Sequence, residues 1–248
     1  MVKKIKIYKN FKINKIHKNS ILLIGNFDGL HIGHQKLFKE AQLFKEKYNL
    51  ELGVLTFNPI PKMFFNKKIK NYRISSFNQK VEYFKEFNID FIINKSFNKK
   101  FSKINCDSFI KNILYKNLKP KYIFVSNNFK FGYRREGDVK LLKKYQVDYR
   151  YKLINPKPLK KNNRIISSTL IRKLLQRGNL EIANTLLKRK WTIEGIVERG
   201  RKMGKKIGFP TCNIDIKNYI IAKPGVYAVR INTYNRRKNY KGIANLGY

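Results

Sequence analysis

Ser20-Ile21-Leu22-Leu23-Ile24-Gly25-Asn26-Phe27-Asp28-Gly29-Leu30-His31-Ile32-Gly33-His34 is the stretch that decides the fold. Its first part, Ser20–Gly25, is a continuous apolar run, the signature of a strand buried on both faces. A turn follows at Asn26–Gly29. From about His31 to Tyr48 the residues Leu37, Ala41, Phe44 and Tyr48 fall on one helical face. A second strand is expected at about Leu52–Phe57. Asn58-Pro59-Ile60-Pro61 ends it with a helix-breaking loop. Strand, helix, strand is a βαβ unit and predicts a parallel sheet.

Working outward, the pattern repeats. Val81–Phe87 reads as a helix and Phe91–Asn94 as a strand. Asp107 is expected to cap a helix running to Tyr115, and Lys121–Ser126 is another buried strand. Asp138–Lys144 reads as a short helix and Asp148–Leu153 as a strand. Ser168 opens a helix to Arg177 that Gly178 ends, and Glu181–Leu187 is a further helix. These elements predict a doubly wound, Rossmann-like α/β domain over residues 1–187. After Lys188-Arg189-Lys190 the texture changes. Trp191–Arg199 alternates as a strand, Gly200, Gly204 and Gly208 punctuate a loop, and Gly225–Ile231 and Tyr240–Asn245 are strand-like. Residues 188–248 therefore predict a second, β-rich domain, which a small barrel would close.

Composition bounds the function less than it first suggests. Lys plus Arg number 56 against 15 Asp plus Glu, a formal net charge of +41. Such a charge suits a polyanionic partner. Yet the lysines are spread evenly among Asn, Ile, Phe and Tyr, all residues with A/T-rich codons. Compositional drift is favoured over nucleic-acid binding for most of them, and no specific nucleic-acid partner is expected. The two cysteines, Cys106 and Cys212, form no C-x-x-C pair, which fits a reducing cytoplasm. The apolar run after the basic start is too short for a signal sequence, and no stretch is long enough to span a membrane. Oligomeric state is not legible.

The segment Gly25 to His34 lies at the expected carboxyl end of a strand and opens a helix, where open α/β sheets bind ligands. A helix N-terminus presents free N–H groups and the positive end of a dipole, which suits phosphate. Gly25, Gly29 and Gly33 let the backbone approach a ligand closely. Of three histidines in the chain, two, His31 and His34, fall in this loop, on one helix face. A capped helix with surface histidines is the plainer reading. The glycines and the strand–turn–helix context favour a nucleotide site over it.

At these residues the chain resembles a known family. Gly25-Asn26-Phe27-Asp28-Gly29-Leu30-His31-Ile32-Gly33-His34 is similar to the G-x-F-D-x-x-H-x-G-H signature of the nucleotidyltransferases, and looks most like the bacterial bifunctional riboflavin kinase/FMN adenylyltransferases, or FAD synthetases. Val125-Ser126-Asn127-Asn128-Phe129-Lys130-Phe131-Gly132, Glu136-Gly137-Asp138-Val139, Ile166-Ser167-Ser168-Thr169-Leu170-Ile171-Arg172 and Gly208-Phe209-Pro210-Thr211-Cys212-Asn213 are similar to further motifs of that family, in its order. So are Gly225-Val226-Tyr227-Ala228-Val229 and Gly242-Ile243-Ala244-Asn245-Leu246-Gly247.

The resemblance implies attack by the FMN phosphate on the α-phosphorus of ATP, with Mg²⁺ accompanying the nucleotide. It implies that His31, His34, Asn128 and Arg172 are catalytic. Gly25, Asn26, Phe27, Asp28, Gly33, Ser167, Ser168 and Thr169 then bind nucleotide, and Asn58, Pro59 and Phe64 bind flavin. In the second domain it implies an ATP flap of Gly200, Gly204, Lys205 and Gly208, with Thr211 and Asn213 at the metal. Riboflavin phosphorylation is the family's second activity. The family's kinase half continues past the point matched by Tyr248, with further strands, a helix and a glutamate proposed as base. An incomplete barrel with weak or absent kinase activity is therefore the expectation. The chain departs from the family at Ile60, where a histidine is usual, and at Ser126, where glycine is usual.

Rival readings use some of the same residues. His31-Ile32-Gly33-His34 also spells the HIGH motif of class I aminoacyl-tRNA synthetases, with Lys202-Met203-Gly204-Lys205-Lys206 as a poor match to their second motif. That reading leaves Asn128 and the Ser167–Arg172 segment unexplained. A nucleotidyltransferase acting on another phosphorylated acceptor stays open through Ile60. Lys67-Lys68, Lys99-Lys100 and Arg236-Arg237-Lys238 are basic patches near aromatics, of the kind a non-catalytic nucleic-acid binder uses and more commonly solvated surface.

Overall fold

The computed structural model describes residues 4–161, 164–198, 208, 211–216, 218–233 and 236–247. They form two compact units, one of residues 1–69 and 77–167, the other of residues 70–76 and 168–248.

The first unit is built on a parallel sheet. Its strands are β1 (Lys6–Tyr8), β2 (Ile21–Ile24), β3 (Leu52–Asn58), β4 (Phe91–Ser96), β5 (Tyr122–Phe124) and β6 (Lys152–Ile154). Among the described residues the sheet has six strands, in the order β1-β4-β3-β2-β5-β6, and every pairing is parallel. Strand β2 pairs Ile21 with Leu52 of β3 on one side and with Tyr122 of β5 on the other. The chain thus builds outward from β2 in both directions. That makes the carboxyl end of β2 a topological switch point, the crevice where such sheets take their ligands.

The period of two along β2 explains why it is apolar throughout. Leu22 and Ile24 pack on one face with Leu55, Phe91, Ile110, Leu114 and Ile123. Ile21 and Leu23 pack on the other with Leu52, Val54, Ile92 and Phe124, beneath helix α1 (Ile32–Tyr48) and helix α2 (Phe77–Lys85). Each such side chain, fully buried, contributes roughly 1.5–3 kcal/mol. Helix α1 ends at Asn49 in the left-handed conformation (φ 48°), a common helix stop. At the opposite end of the sheet from the switch point, the buried Asp90 carboxylate accepts from Lys45 Nζ at 2.6 Å and from Leu52 N–H at 2.8 Å, tying α1 to β3 and β4.

Several boundaries differ from the sequence expectation, each for a local reason. Asn105, not Asp107, caps the helical segment after Ile104, because its side chain accepts from Ser108 N–H at 2.7 Å. That segment runs to Leu118, widening to π-type spacing from Phe109. Helix α2 begins at Phe77, ahead of the expected Val81, and ends at Lys85. Residues 145–150 continue in turns after helix α3 (Val139–Lys144), so β6 starts only at Lys152, not at Asp148.

In the second unit, helices α4 (Ser168–Gln176) and α5 (Leu180–Leu187) precede the strands. The strands are β7 (Val197–Glu198), β8 (Asn213–Ile214), β9 (Gly225–Thr233) and β10 (Arg236–Leu246). They form two antiparallel pairs, β7 with β8 and β9 with β10. Among the described residues the expected strand Trp191–Arg199 is extended β structure only at Val197–Glu198. Trp191 is held instead by its own contacts, with its indole N–H donating to the Ile74 carbonyl at 3.0 Å and its backbone N–H to Asn184 Oδ1 at 2.6 Å. Residues 70–76 thread into this unit through the Asn218 carbonyl, which accepts from Tyr72 N–H and Arg73 N–H at 3.0 and 2.7 Å.

Two stability predictions follow from the sheet. A Cβ at Gly53 would overlap the Phe91 ring on the neighbouring strand. Gly53→Ala is expected to cost at least about 1–3 kcal/mol, read by urea unfolding. Lys45→Ala removes the cation paired with the buried Asp90 and is expected to cost about 2 kcal/mol or more in the same measurement, less than a fully buried pair because Lys45 is partly exposed.

Candidate nucleotide site at the switch point

The turn from β2 into α1 occupies residues 25–31. Gly25 N–H donates to the Leu55 carbonyl at 3.0 Å, extending the pairing with β3 by one residue. The backbone then turns sharply. Phe27, Gly29 and Leu30 all have positive φ, at 47°, 77° and 37°. For Gly29 this is cheap, but for Phe27 and Leu30 the left-handed region costs roughly 1–2 kcal/mol each. Their side chains offset it by burial in the core beside Phe38 and Phe84. The Phe27 ring is therefore committed to the core, and only its backbone faces outward from the turn. Asp28 is buried too.

His31 is the N-cap of α1, an uncommon residue there. Its Nδ1 accepts from His34 N–H at 3.4 Å, beside the 2.7 Å bond from the same N–H to the His31 carbonyl. The His31 and His34 rings stack, with centroids 3.8 Å apart and planes 21° from parallel. A Cβ on Gly33 would stand 3.2 Å from the His31 ring and 3.4 Å from the Ile166 carbonyl. Glycine at 33 thus leaves room for the histidine pair, and Ile166-Ser167 runs directly past it.

Two further segments leave the sheet at the same end. After β5, Ser126 Oγ donates to Asn128 Oδ1 at 2.9 Å, which leaves the Asn128 amide N–H groups directed away from that bond. After β3, Asn58 precedes Pro59 through a cis peptide, and Ile60 is buried as the N-cap of the short helix Pro61–Phe65. The half-buried Phe64 ring lies 5.2 Å from Phe65 and 5.3 Å from Phe97. β2, β3 and β5 are hydrogen-bonded neighbours, so the fold brings Gly25–His34, Asn128 and Asn58–Phe64 to one sheet end.

A polar cluster that no local sequence pattern signals lies beneath the turn. Lys80 of α2, only 5% exposed, donates from Nζ to the Asn26 carbonyl and to Thr56 Oγ1, both at 3.1 Å. Thr56 Oγ1 lies 3.3 Å from the same carbonyl. Thr56 pairs in register with Asn94, and the side-chain oxygens of Asn26 and Asn94 are buried with no hydrogen-bond partner among the described residues. One lysine in a chain so rich in them carries no visible signal.

In the second unit, Ser168 begins α4, Thr169 is exposed and Arg172 is buried. Arg172 Nε donates to the Tyr72 carbonyl at 2.8 Å, and its guanidinium lies 3.7 Å from the centre of the Tyr72 ring. Thr211 and Asn213 are exposed. Gly208, also exposed, has φ 80°, and a Cβ there would meet nothing within 4 Å among the described residues. The expected flap residues Gly200, Gly204 and Lys205 lie outside the described residues. Among the described residues no cluster of three His, Cys, Asp or Glu could hold a metal, and no helix is long and apolar enough to cross a membrane.

Comparison with known proteins agrees with this layout. Residues 13–170 match the family model described as FAD synthetase, and residues 187–248 match that of riboflavin kinase. A bifunctional riboflavin kinase/FMN adenylyltransferase of Buchnera aphidicola from Acyrthosiphon pisum is 41% identical over 95% of this chain and 75% of its own length. The Escherichia coli K12 protein of the same name is 34% identical over 92% of this chain and 72% of its own. A solved Streptococcus pneumoniae structure, described as a macrolide-efflux protein, superposes with a TM-score of 0.81 at 27% identity, covering 97% of this chain and 78% of its own. Both models match in order along one chain, and the relatives align over nearly all of it; the chain belongs to the bifunctional riboflavin kinase/FMN adenylyltransferase family.

Proposed function

We propose that this chain makes FAD by transferring AMP from ATP to FMN, and that residues 1–187 carry the reaction. The observation that carries this reading is the turn at the switch point, a glycine-bearing loop that places two stacked histidines at the N-terminus of α1. An FMN phosphate oxygen forms a bond to the α-phosphorus of ATP as the bond to the pyrophosphate oxygen breaks. The attacking phosphate is already ionised at neutral pH, so the protein needs no general base. Its work is positioning and charge stabilisation.

In this scheme His31 and His34 donate to the phosphates as charge builds on the departing pyrophosphate. The first-turn N–H groups of α1 and the backbone of Gly25–Asp28 and Gly33 receive the nucleotide. Asn128 donates its amide to nucleotide or phosphate. Ser167, Ser168 and Thr169 offer hydroxyl and N–H donors, and Arg172 adds positive charge from α4. Asn58, Pro59 and Phe64 take the flavin.

Residues 187–248 carry the riboflavin-kinase match, and phosphorylation of riboflavin to FMN is the second reaction that match points to. Gly200, Gly204, Lys205 and Gly208 form its ATP flap in this reading. Thr211 and Asn213 offer neutral hard oxygens at the surface, a donor set that suits Mg²⁺ held mainly by substrate phosphates. Mg²⁺ supplies charge neutralisation on ATP. The two free cysteines suit a reducing cytoplasm.

Purified chain with ATP and Mg²⁺ is expected to convert FMN to FAD with release of pyrophosphate, and chelation of the metal to abolish it. A parallel tube with riboflavin in place of FMN reads the second reaction separately. No FAD from FMN, but AMP transfer to another phosphorylated acceptor, would overturn the choice of acceptor. His31→Ala and His34→Ala are each expected to lower kcat about 10²-fold with an unchanged circular dichroism spectrum. Amino-acid-dependent exchange of pyrophosphate into ATP is expected to be absent.

A further inference from the structure

We infer that Lys80 is a positioning residue for AMP transfer, acting through the Asn26 carbonyl to hold the strained turn that carries the nucleotide site. The inference rests on the reading of that turn as the ATP site, and names a residue outside the glycine and histidine motif.

The turn has a structural problem to solve. Between the end of β2 and the cap of α1, two non-glycine residues, Phe27 and Leu30, sit at positive φ. Such conformations persist only where surrounding contacts over-determine them. Burial of the two side chains fixes their rings and branches but not the carbonyl that precedes Phe27. That carbonyl belongs to Asn26, and it is gripped from two other elements. Lys80 Nζ reaches it at 3.1 Å from α2, and Thr56 Oγ1 at 3.3 Å from β3. Lys80 also donates to Thr56 at 3.1 Å, so the threonine hydroxyl accepts from the lysine and turns its own proton to the carbonyl. The three groups close a small ring of hydrogen bonds.

The cation makes the grip strong. A hydrogen bond from a charged donor is worth about twice a neutral one, and more where water is excluded. Lys80 is 5% exposed, so water competes little. Gly25 N–H is bound to the Leu55 carbonyl, so the chain is fixed at the end of β2 and again two peptides later at the Asn26 carbonyl. Without the ammonium, the Asn26–Phe27 peptide can rotate and Phe27 can relax toward negative φ. The N–H groups of the turn would then point away from where a phosphate sits. A shift of about 1 Å at such a site is enough for a loss near a hundredfold.

The test is steady-state kinetics of FAD formation from FMN, with ATP and FMN varied separately and thermal stability measured on the same samples. Lys80→Met is expected to raise KM for ATP about tenfold or more and lower kcat, while KM for FMN moves much less. Thr56→Val is expected to act in the same direction more weakly, and Thr56→Ser, which keeps the hydroxyl, to restore the native values. In the double variant the losses are expected to be smaller than the product of the single ones, because both act through one carbonyl. If Lys80→Met does not fold, the Thr56→Val and Thr56→Ser pair reads the same carbonyl. A lowered melting temperature with KM for ATP and kcat within twofold of native would overturn the inference, as would losses that simply multiply. His31→Ala in the same series separates the two levels. Activity lost in His31→Ala but kept in Lys80→Met leaves the site reading standing and removes Lys80 from it. Activity kept in both removes the site reading, and this inference with it.

Discussion

The central constraint is that a strand buried on both faces can offer chemistry only at its ends. Strand β2 has apolar neighbours above, below and on either side. Its polar backbone is spent on β3 and β5. All that it can present to a ligand emerges where the chain leaves the sheet, and the chain must there reverse into α1 within a few residues. The short turn forces positive φ at Phe27 and Leu30 and places His31 at the cap of α1. The histidine cap and the backbone strain are two consequences of the same reversal.

Parallel pairing extends this logic sideways. Because all six strands run the same way, every strand-to-helix turn lies on one end of the sheet and every helix-to-strand turn on the other. The two ends are built differently. The far end is closed by the Lys45–Asp90 ion pair, where a buried carboxylate is answered by a lysine and a backbone N–H. The site end holds a buried lysine against a carbonyl and a hydroxyl, with two buried asparagine oxygens nearby. One end is a finished structural lock. The other keeps polar groups in low dielectric, where their interactions with a charged ligand are strong.

The second unit follows different rules. Its strands pair antiparallel in twos, and its contacts rely on single anchors such as Trp191 on the Ile74 carbonyl and Arg172 stacked on Tyr72. Arg172 shows how a motif residue can be held by the fold. Its Nε and its flat face are given to Tyr72, which fixes the plane of the guanidinium.

The sequence by itself determined the βαβ order, the buried run of β2 and the coincidence of glycines and histidines at Gly25–His34. These are written in local patterns, because strand burial, helix period and turn chemistry each depend on residues close in the chain. Helix boundaries were less legible, as at Asn105 and Lys152, where a single side-chain hydrogen bond or a continuing turn moved the edge. The choice of Lys80, Thr56 and Tyr72 as neighbours of motif residues was decided only by the tertiary structure. Lys80 is 54 positions from Asn26, and Tyr72 is 100 from Arg172. Among so many lysines, only the packing of α2 against the end of β3 removes this one from water and gives its charge a fixed address.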